Sequence, residues 1–121
     1  MRWRGHHGRD FGMVTAELAL AFPAVILVLA LSLTGLTLGI DQLRCEDAAR
    51  VAARAASRGE PAAAVSAAAS ARAPEGSTVR VTPGPVSVLV EVTGPARIRL
   101  LPSLPSASAE AQARWEPGAQ P

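Results

Sequence analysis

Residues 12–40 read GMVTAELALAFPAVILVLALSLTGLTLGI, and the last 23 of them, Leu18 to Ile40, carry no charge. A bilayer core of about 30 Å needs about 20 such residues in a helix, so this stretch predicts one membrane span. Its flanks set a direction. Arg2, Arg4 and Arg9 precede it against a single acid, Asp10, whereas Asp41, Arg44, Glu46 and Asp47 follow it with mixed sign. Positive flanks stay cytoplasmic, which places the N-terminus in the cytoplasm and sends the C-terminal part across the cytoplasmic membrane. A secretory signal peptide is the rival reading. Its apolar region runs about 7–15 residues and ends at a small-residue site. Here the run is longer, and the residues that follow, DQLRCEDAARVAARAASRG (41–59), continue as helix.

Alanine is the best helix former, and Glu46 with Arg50 makes a favourable i,i+4 pair. Arg50, Arg54 and Arg58 recur every four residues and so share a face, which reads as a solvated one. Gly59 and Pro61 end the helix. The expected helix covers residues 13–58, and an unbroken rod of about 45 residues is near 70 Å long. Before it, the basic stretch 1–12 holds three glycines and is expected to form no stable helix. After it, residues 59–73 predict a linker and a short second helix with Pro61 at its first position.

Beyond Pro74 the periodicity changes to two. Val79 and Val81 alternate with polar residues. Val86, Val88, Val90 and Val92 oppose Ser87, Leu89, Glu91 and Thr93. Ala107, Ala109, Ala111, Ala113 and Trp115 oppose Ser106, Ser108, Glu110, Gln112 and Arg114. This alternation predicts a small antiparallel sheet over residues 74–116 with one face covered, with turns at Gly84-Pro85 and Gly94-Pro95. RIRLL (97–101) suggests a further short strand, and residues 117–121 a disordered tail. The fold class is therefore α+β: one long N-terminal transmembrane helix, a short second helix and a small sheet.

Composition narrows the chemistry. Of 121 residues 49% are hydrophobic but only four are aromatic, so the apolar mass is Ala, Val and Leu. Such a core buries little area per residue. All twelve basic residues are Arg, and they form no patch beside aromatic rings, which argues against nucleic-acid binding. Cys45 is the only cysteine and can form no internal disulfide. His6 and His7 are the only histidines. No nucleophile–base pair, phosphate loop or zinc motif occurs, so no enzymatic activity, cofactor, metal or small-molecule substrate is expected.

One constellation stands out: the basic leader, Gly12 directly before the apolar run, and Glu17 five residues later. A carboxylate in a membrane helix costs up to ~3 kcal/mol at mid-bilayer, and such acids are functional by default. Gly12-Met13-Val14-Thr15-Ala16-Glu17 resembles the type IV prepilin cleavage motif. More narrowly the chain resembles the TadE-like family, minor pilins (pseudopilins) of tight-adherence pilus systems. That likeness runs from GMVTAELALAFP, with Pro23 inside the span, through CEDAARVAAR to the Val-rich strand and the closing ARWE. The resemblance implies that a prepilin peptidase cuts between Gly12 and Met13. It implies that Glu17 neutralises the new amine of a neighbouring subunit, and that Pro23 takes part in assembly. The implied partners are other pilin subunits, an inner-membrane assembly platform and its ATPase. The mature chain would carry nine Arg and nine acids, formally neutral. Two other readings remain at this point: a single-pass anchored envelope protein with a small binding domain, and a secreted domain released by signal peptidase.

Overall fold

The computed structural model describes residues 7–98 and 104–119, the first five of these as backbone only. The fold is α+β. Helix α1 (His7–Ser57) is followed by α2 (Ala62–Ser70) and by strands β1 (Thr78–Pro83), β2 (Ser87–Thr93) and β3 (Ser108–Arg114). The chain divides into two compact units, one ending at Leu36 and the other Thr37–Pro121.

The first unit holds most of the apolar run of α1. It is long and apolar enough to cross a membrane, and its large side chains are exposed: Leu20 at 79%, Leu29 at 57%. Two hydroxyls in it are satisfied by the helix itself. Ser32 donates to the Val28 carbonyl and Thr34 to the Ala30 carbonyl, each at 2.8 Å. Helical backbone begins at His7, so residues 7–12 depart from the expectation of a non-helical leader. Extending a formed helix costs far less than nucleating one, so the penalty of about 1 kcal/mol at each of Gly8 and Gly12 is tolerable. Pro23 lies inside α1, and the helix continues past it.

The second unit holds the core. Its stretch of α1 buries Cys45, Ala48, Ala49, Ala52, Ala53, Ala55 and Ala56 in one cluster with Val65 and Ala69 of α2, Val88, Val90 and Val92 of β2, and Ala107 and Ala109. The sheet is an antiparallel meander, β1-β2-β3, with β2 central. Its inward rows are Val79–Val92–Ala109, Val81–Val90–Ala111 and Pro83–Val88–Ala113. Large side chains thus occupy the middle strand and alanines the β3 edge, while Glu91 and Glu110 lie on the opposite face of the sheet.

Three boundaries differ from the periodicity. Val86 is 56% exposed, because β2 starts at Ser87 and Val86 belongs to the turn, where alternation no longer applies. Helix α2 is shorter than 61–73, with Pro61 as its N-cap; the Arg72 and Ala73 N–H groups both turn back to the Ala69 carbonyl. Arg97 and Ile98 are not in a strand, and the rest of the expected strand 97–101 lies outside the described residues. Downstream of β3, Pro117 and Gly118 form a turn where a disordered tail was expected, and the last two residues of that expected tail, 120 and 121, lie outside the described residues. The turn is held by Glu116 N–H donating to the Ser57 carbonyl at 2.9 Å and Ala119 N–H to the Glu116 carbonyl at 3.0 Å.

The end of α1 is a Schellman motif. Gly59 has φ +76°, its N–H reaches the Ala56 carbonyl, and Glu60 N–H reaches the Ala55 carbonyl. A Cβ at Gly59 would also stand 3.3 Å from that of Ala119.

Candidate functional site: the N-terminal helix and the first turn beyond its apolar run

The four residues singled out by sequence all lie on α1. Gly12 and Met13 adjoin near its start, Glu17 is one turn further, and Pro23 follows within the apolar run. Met13 and Glu17, four apart, share a helix face. Gly12 is exposed with nothing within 4 Å of where a Cβ would sit, Met13 is 68% exposed, and Glu17 and Pro23 are exposed. The four share one helix, and among the described residues no tertiary contact assembles them. As a chemical object this is an accessible peptide bond, Gly12–Met13, followed by a carboxylate and then an uncovered apolar surface.

A second cluster, which sequence reasoning missed, lies immediately after the apolar run. Asp41 is only 2% exposed. Its carboxylate accepts two hydrogen bonds from Arg97, Nε at 2.5 Å and Nη2 at 2.6 Å. This fork-to-fork pairing is the strong form of the interaction. The Arg97 hydrogen bonds hold the Asp41 carboxyl below its usual range against the opposing effect of burial. Next to it, the Gln42 side-chain amide acts as a piece of strand. Its Nε2 donates to the Ser108 carbonyl at 2.8 Å, and its Oε1 accepts from the Ser108 N–H at 3.2 Å. One turn on, Cys45 is fully buried, with its thiol directed at the Ala107 carbonyl 3.9 Å away and 3.5 Å from where a Cβ on Gly94 would stand. Burial, and then the Asp41 charge, push this thiol up from its ordinary value. The only sequence signal for the cluster was an acid placed directly after Ile40. A free carboxylate there is unremarkable, so nothing local announced its partner 56 residues away.

At the other end of α1 an open groove of about 620 Å³ is lined by Val65, Val81, Val88 and Trp115, with Arg58, Glu60 and Glu116 at its edge. Trp115 Nε1 donates to the Gly84 carbonyl at 2.8 Å. Arg58 and Glu60 are paired with each other at 2.5 Å. Among the described residues no three His, Cys, Asp or Glu side chains converge as metal ligands would.

No family model matches the chain, and no solved structure does. A Mycobacterium tuberculosis protein named Apoptosis inhibitor Rv3655c is 44% identical over 102 residues, which covers 84% of this chain and 78% of that protein.

Proposed function

We propose that this chain, which belongs to the same family as the Mycobacterium tuberculosis protein, is a TadE-like minor pilin or pseudopilin of a tight-adherence type IV pilus system. It is cut by prepilin peptidase after Gly12 and assembled through its apolar helix, with Glu17 answering the new Met13 amine of a neighbouring subunit. Before assembly it sits in the cytoplasmic membrane with its N-terminus inside and its sheet domain outside. Its part is structural, and its partners are the peptidase, other pilin subunits, the membrane platform and the ATPase.

The observation that supports this most is the placement of Gly12–Met13 and Glu17 on the exposed start of an apolar helix whose sides are uncovered. A protease must draw its substrate backbone out of the helix. Gly12 lowers that barrier, since glycine weakens a helix by about 1 kcal/mol and the site lies within two turns of the helix end. The carboxylate has a physical role as well. Cleavage creates a cation that would be buried among apolar helices, and an unpaired charge there is costly.

The test is the N-terminal mass of membrane-extracted protein, with and without the cognate peptidase. A chain beginning at Met13 only when both the peptidase and Gly12 are present carries the proposal, and Gly12→Asp should abolish that product. An intact chain in every case would sink it in favour of an anchored envelope protein. A chain beginning beyond residue 40 would mean a secreted domain. Glu17→Gln should leave cleavage intact and impair incorporation into filaments or assembly complexes, read by co-purification with the other subunits.

The 44% identity favours a second reading, that the chain shares the apoptosis-inhibiting activity for which its relative is named. Gly12→Asp separates the two, because only the pilin role requires the cut.

A further inference from the structure

We propose that the outer edge of β3 pairs antiparallel with the same edge of a second copy of this chain, with Gln112 opposite its own counterpart. Every residue in the contact belongs to the packed unit, so the contact stands whether or not the chain is a pilin.

The hydrogen bonds say which backbone groups are open. Gly94 N–H donates to the Ala107 carbonyl at 2.7 Å, and Trp115 N–H to the Val86 carbonyl at 3.2 Å. Odd-numbered residues from 107 to 115 therefore bond to β2, and antiparallel alternation turns the N–H and C=O of the even-numbered ones outward. Both ends of that outward row are taken. Ser108 exchanges two hydrogen bonds with the Gln42 side chain, and Glu116 N–H donates to the Ser57 carbonyl. Between them, Glu110, Gln112 and Arg114 have no backbone partner on that side among the described residues. The opposite edge of the sheet is blunted. Gly84 N–H donates to the Ser87 carbonyl, so in β1 the outward positions are Val79, Val81 and Pro83, and proline has no N–H to offer.

Charge names the occupant and the register. On the outer face Arg80, Glu91 and Glu110 form one row across the sheet. Glu91 has Arg80 4.0 Å away, whereas Glu110 stands opposite a like charge, an arrangement that destabilises a strand pair. Among the described residues neither Glu110 nor Arg114, at the far end of β3, makes an ion pair. In the symmetric register, Glu110 of each copy meets Arg114 of the other, so one pairing supplies both missing partners twice. The nearest registers fail. A shift of two residues one way sets Glu110 against Glu116, whose N–H is already used; the other way sets Arg114 against Ser108, which Gln42 occupies. The copies are related by a two-fold axis normal to the sheet, which makes the contact isologous. Both alanine faces then lie on the same side, with the half-buried Ala111 of one copy opposite Ala113 of the other. Exposed ion pairs contribute little each, so the exchanged backbone hydrogen bonds carry the contact and the charges choose its register.

The experiment uses the full chain with Cys45→Ala, reconstituted in phosphatidylcholine vesicles. Single cysteines are placed by Gln112→Cys, Glu110→Cys, Arg114→Cys and, on β1, Thr82→Cys. Copper phenanthroline oxidises neighbouring thiols, and the covalent dimer is read on a non-reducing gel. Paired residues in this register stand about 5.5 Å apart at Cα, within the reach of a disulfide. Crosslinking should be fast at 112. It should be slow at 110 or 114 alone, since like positions there are offset by about 13 Å along the strands. It should be fast again when Glu110→Cys and Arg114→Cys chains are reconstituted together. In the Gln112→Cys chain, Glu110→Arg should slow the reaction severalfold by setting Arg against Arg. Adding Arg114→Glu should restore it, which a misfolded variant could not do. Equal rates at 110, 112 and 114 would mean random collision and overturn the proposal, as would the fastest rate at 82. A crosslink at 112 indifferent to Glu110→Arg overturns it too, because the register rests on that charge.

Discussion

Asp41 shows how one residue can be decided by its surroundings. A carboxylate 2% exposed is tolerable because the Arg97 guanidinium meets both its oxygens. Because the pairing lowers the carboxyl's pKa in the folded state, its stabilisation is complete above the unfolded value of about 3.9 and is lost as pH falls through the lowered one. Thermal unfolding of the detergent-solubilised protein should therefore show Tm falling in acid below pH about 4. Arg97→Met should lower Tm at neutral pH, by leaving the buried carboxylate uncompensated, and should flatten that acid dependence. Asp41→Leu combined with Arg97→Met should be less destabilised than Arg97→Met alone, since no charge is then stranded. Cys45 offers a parallel check. It is fully buried and its thiol is harder to ionise than usual, so it should resist alkylation at pH 8 until the protein unfolds. Rapid labelling of the native state, followed by mass, would show the packing around it to be wrong.

At the scale of elements, the alanine face of α1 is a spacing device. Ala48, Ala49, Ala52 and Ala53 have at most 2% exposure in the cluster that includes the β2 valines. Small side chains let the helix backbone come close, and there is no spare volume for a larger one. Ala52→Leu should accordingly destabilise the domain by about 1–3 kcal/mol through overpacking. Val90→Ala, at the centre of the middle strand, should cost about 2 kcal/mol for the opposite reason, the cavity it leaves. Both are read from denaturant or thermal unfolding in micelles, and a neutral Ala52→Leu would mean that α1 and the sheet are loosely apposed. The helix end makes its own prediction. Gly59→Ala forces an L-residue into φ +76° against Ala119 and should cost about 1 kcal/mol or more.

For the whole molecule, the important division is between an uncovered apolar helix and a packed unit, Thr37–Pro121. Every residue of the core cluster belongs to the second unit. A chain of residues 37–121 should therefore keep a cooperative unfolding transition by circular dichroism without detergent. The full chain, with side chains such as Leu20 and Leu29 open to solvent, should self-associate in sedimentation velocity unless detergent or lipid is present. Loss of the transition in the shorter chain would mean that the core depends on residues before Thr37.

What the sequence determined by itself is whatever depends on neighbours along the chain. Twenty-three uncharged residues made the apolar helix legible, Gly59 and Pro61 its end, and the alternation of valine and alanine the strands with their covered face. That Met13 and Glu17 fall on one helix was legible for the same reason, since spacing along a helix is fixed by the chain itself. Local pattern failed at boundaries. Glycines 8 and 12 argued against helix where an already formed helix simply continues, and Val86 kept the strand's rhythm after the strand had stopped. Only the tertiary structure decided what covers the alanine face of the helix, and that Asp41 and Gln42 hold Arg97 and Ser108. Those partners are separated by 56 and 66 residues, and a contact between distant residues exists only once both stretches have been brought together by the burial of a shared core.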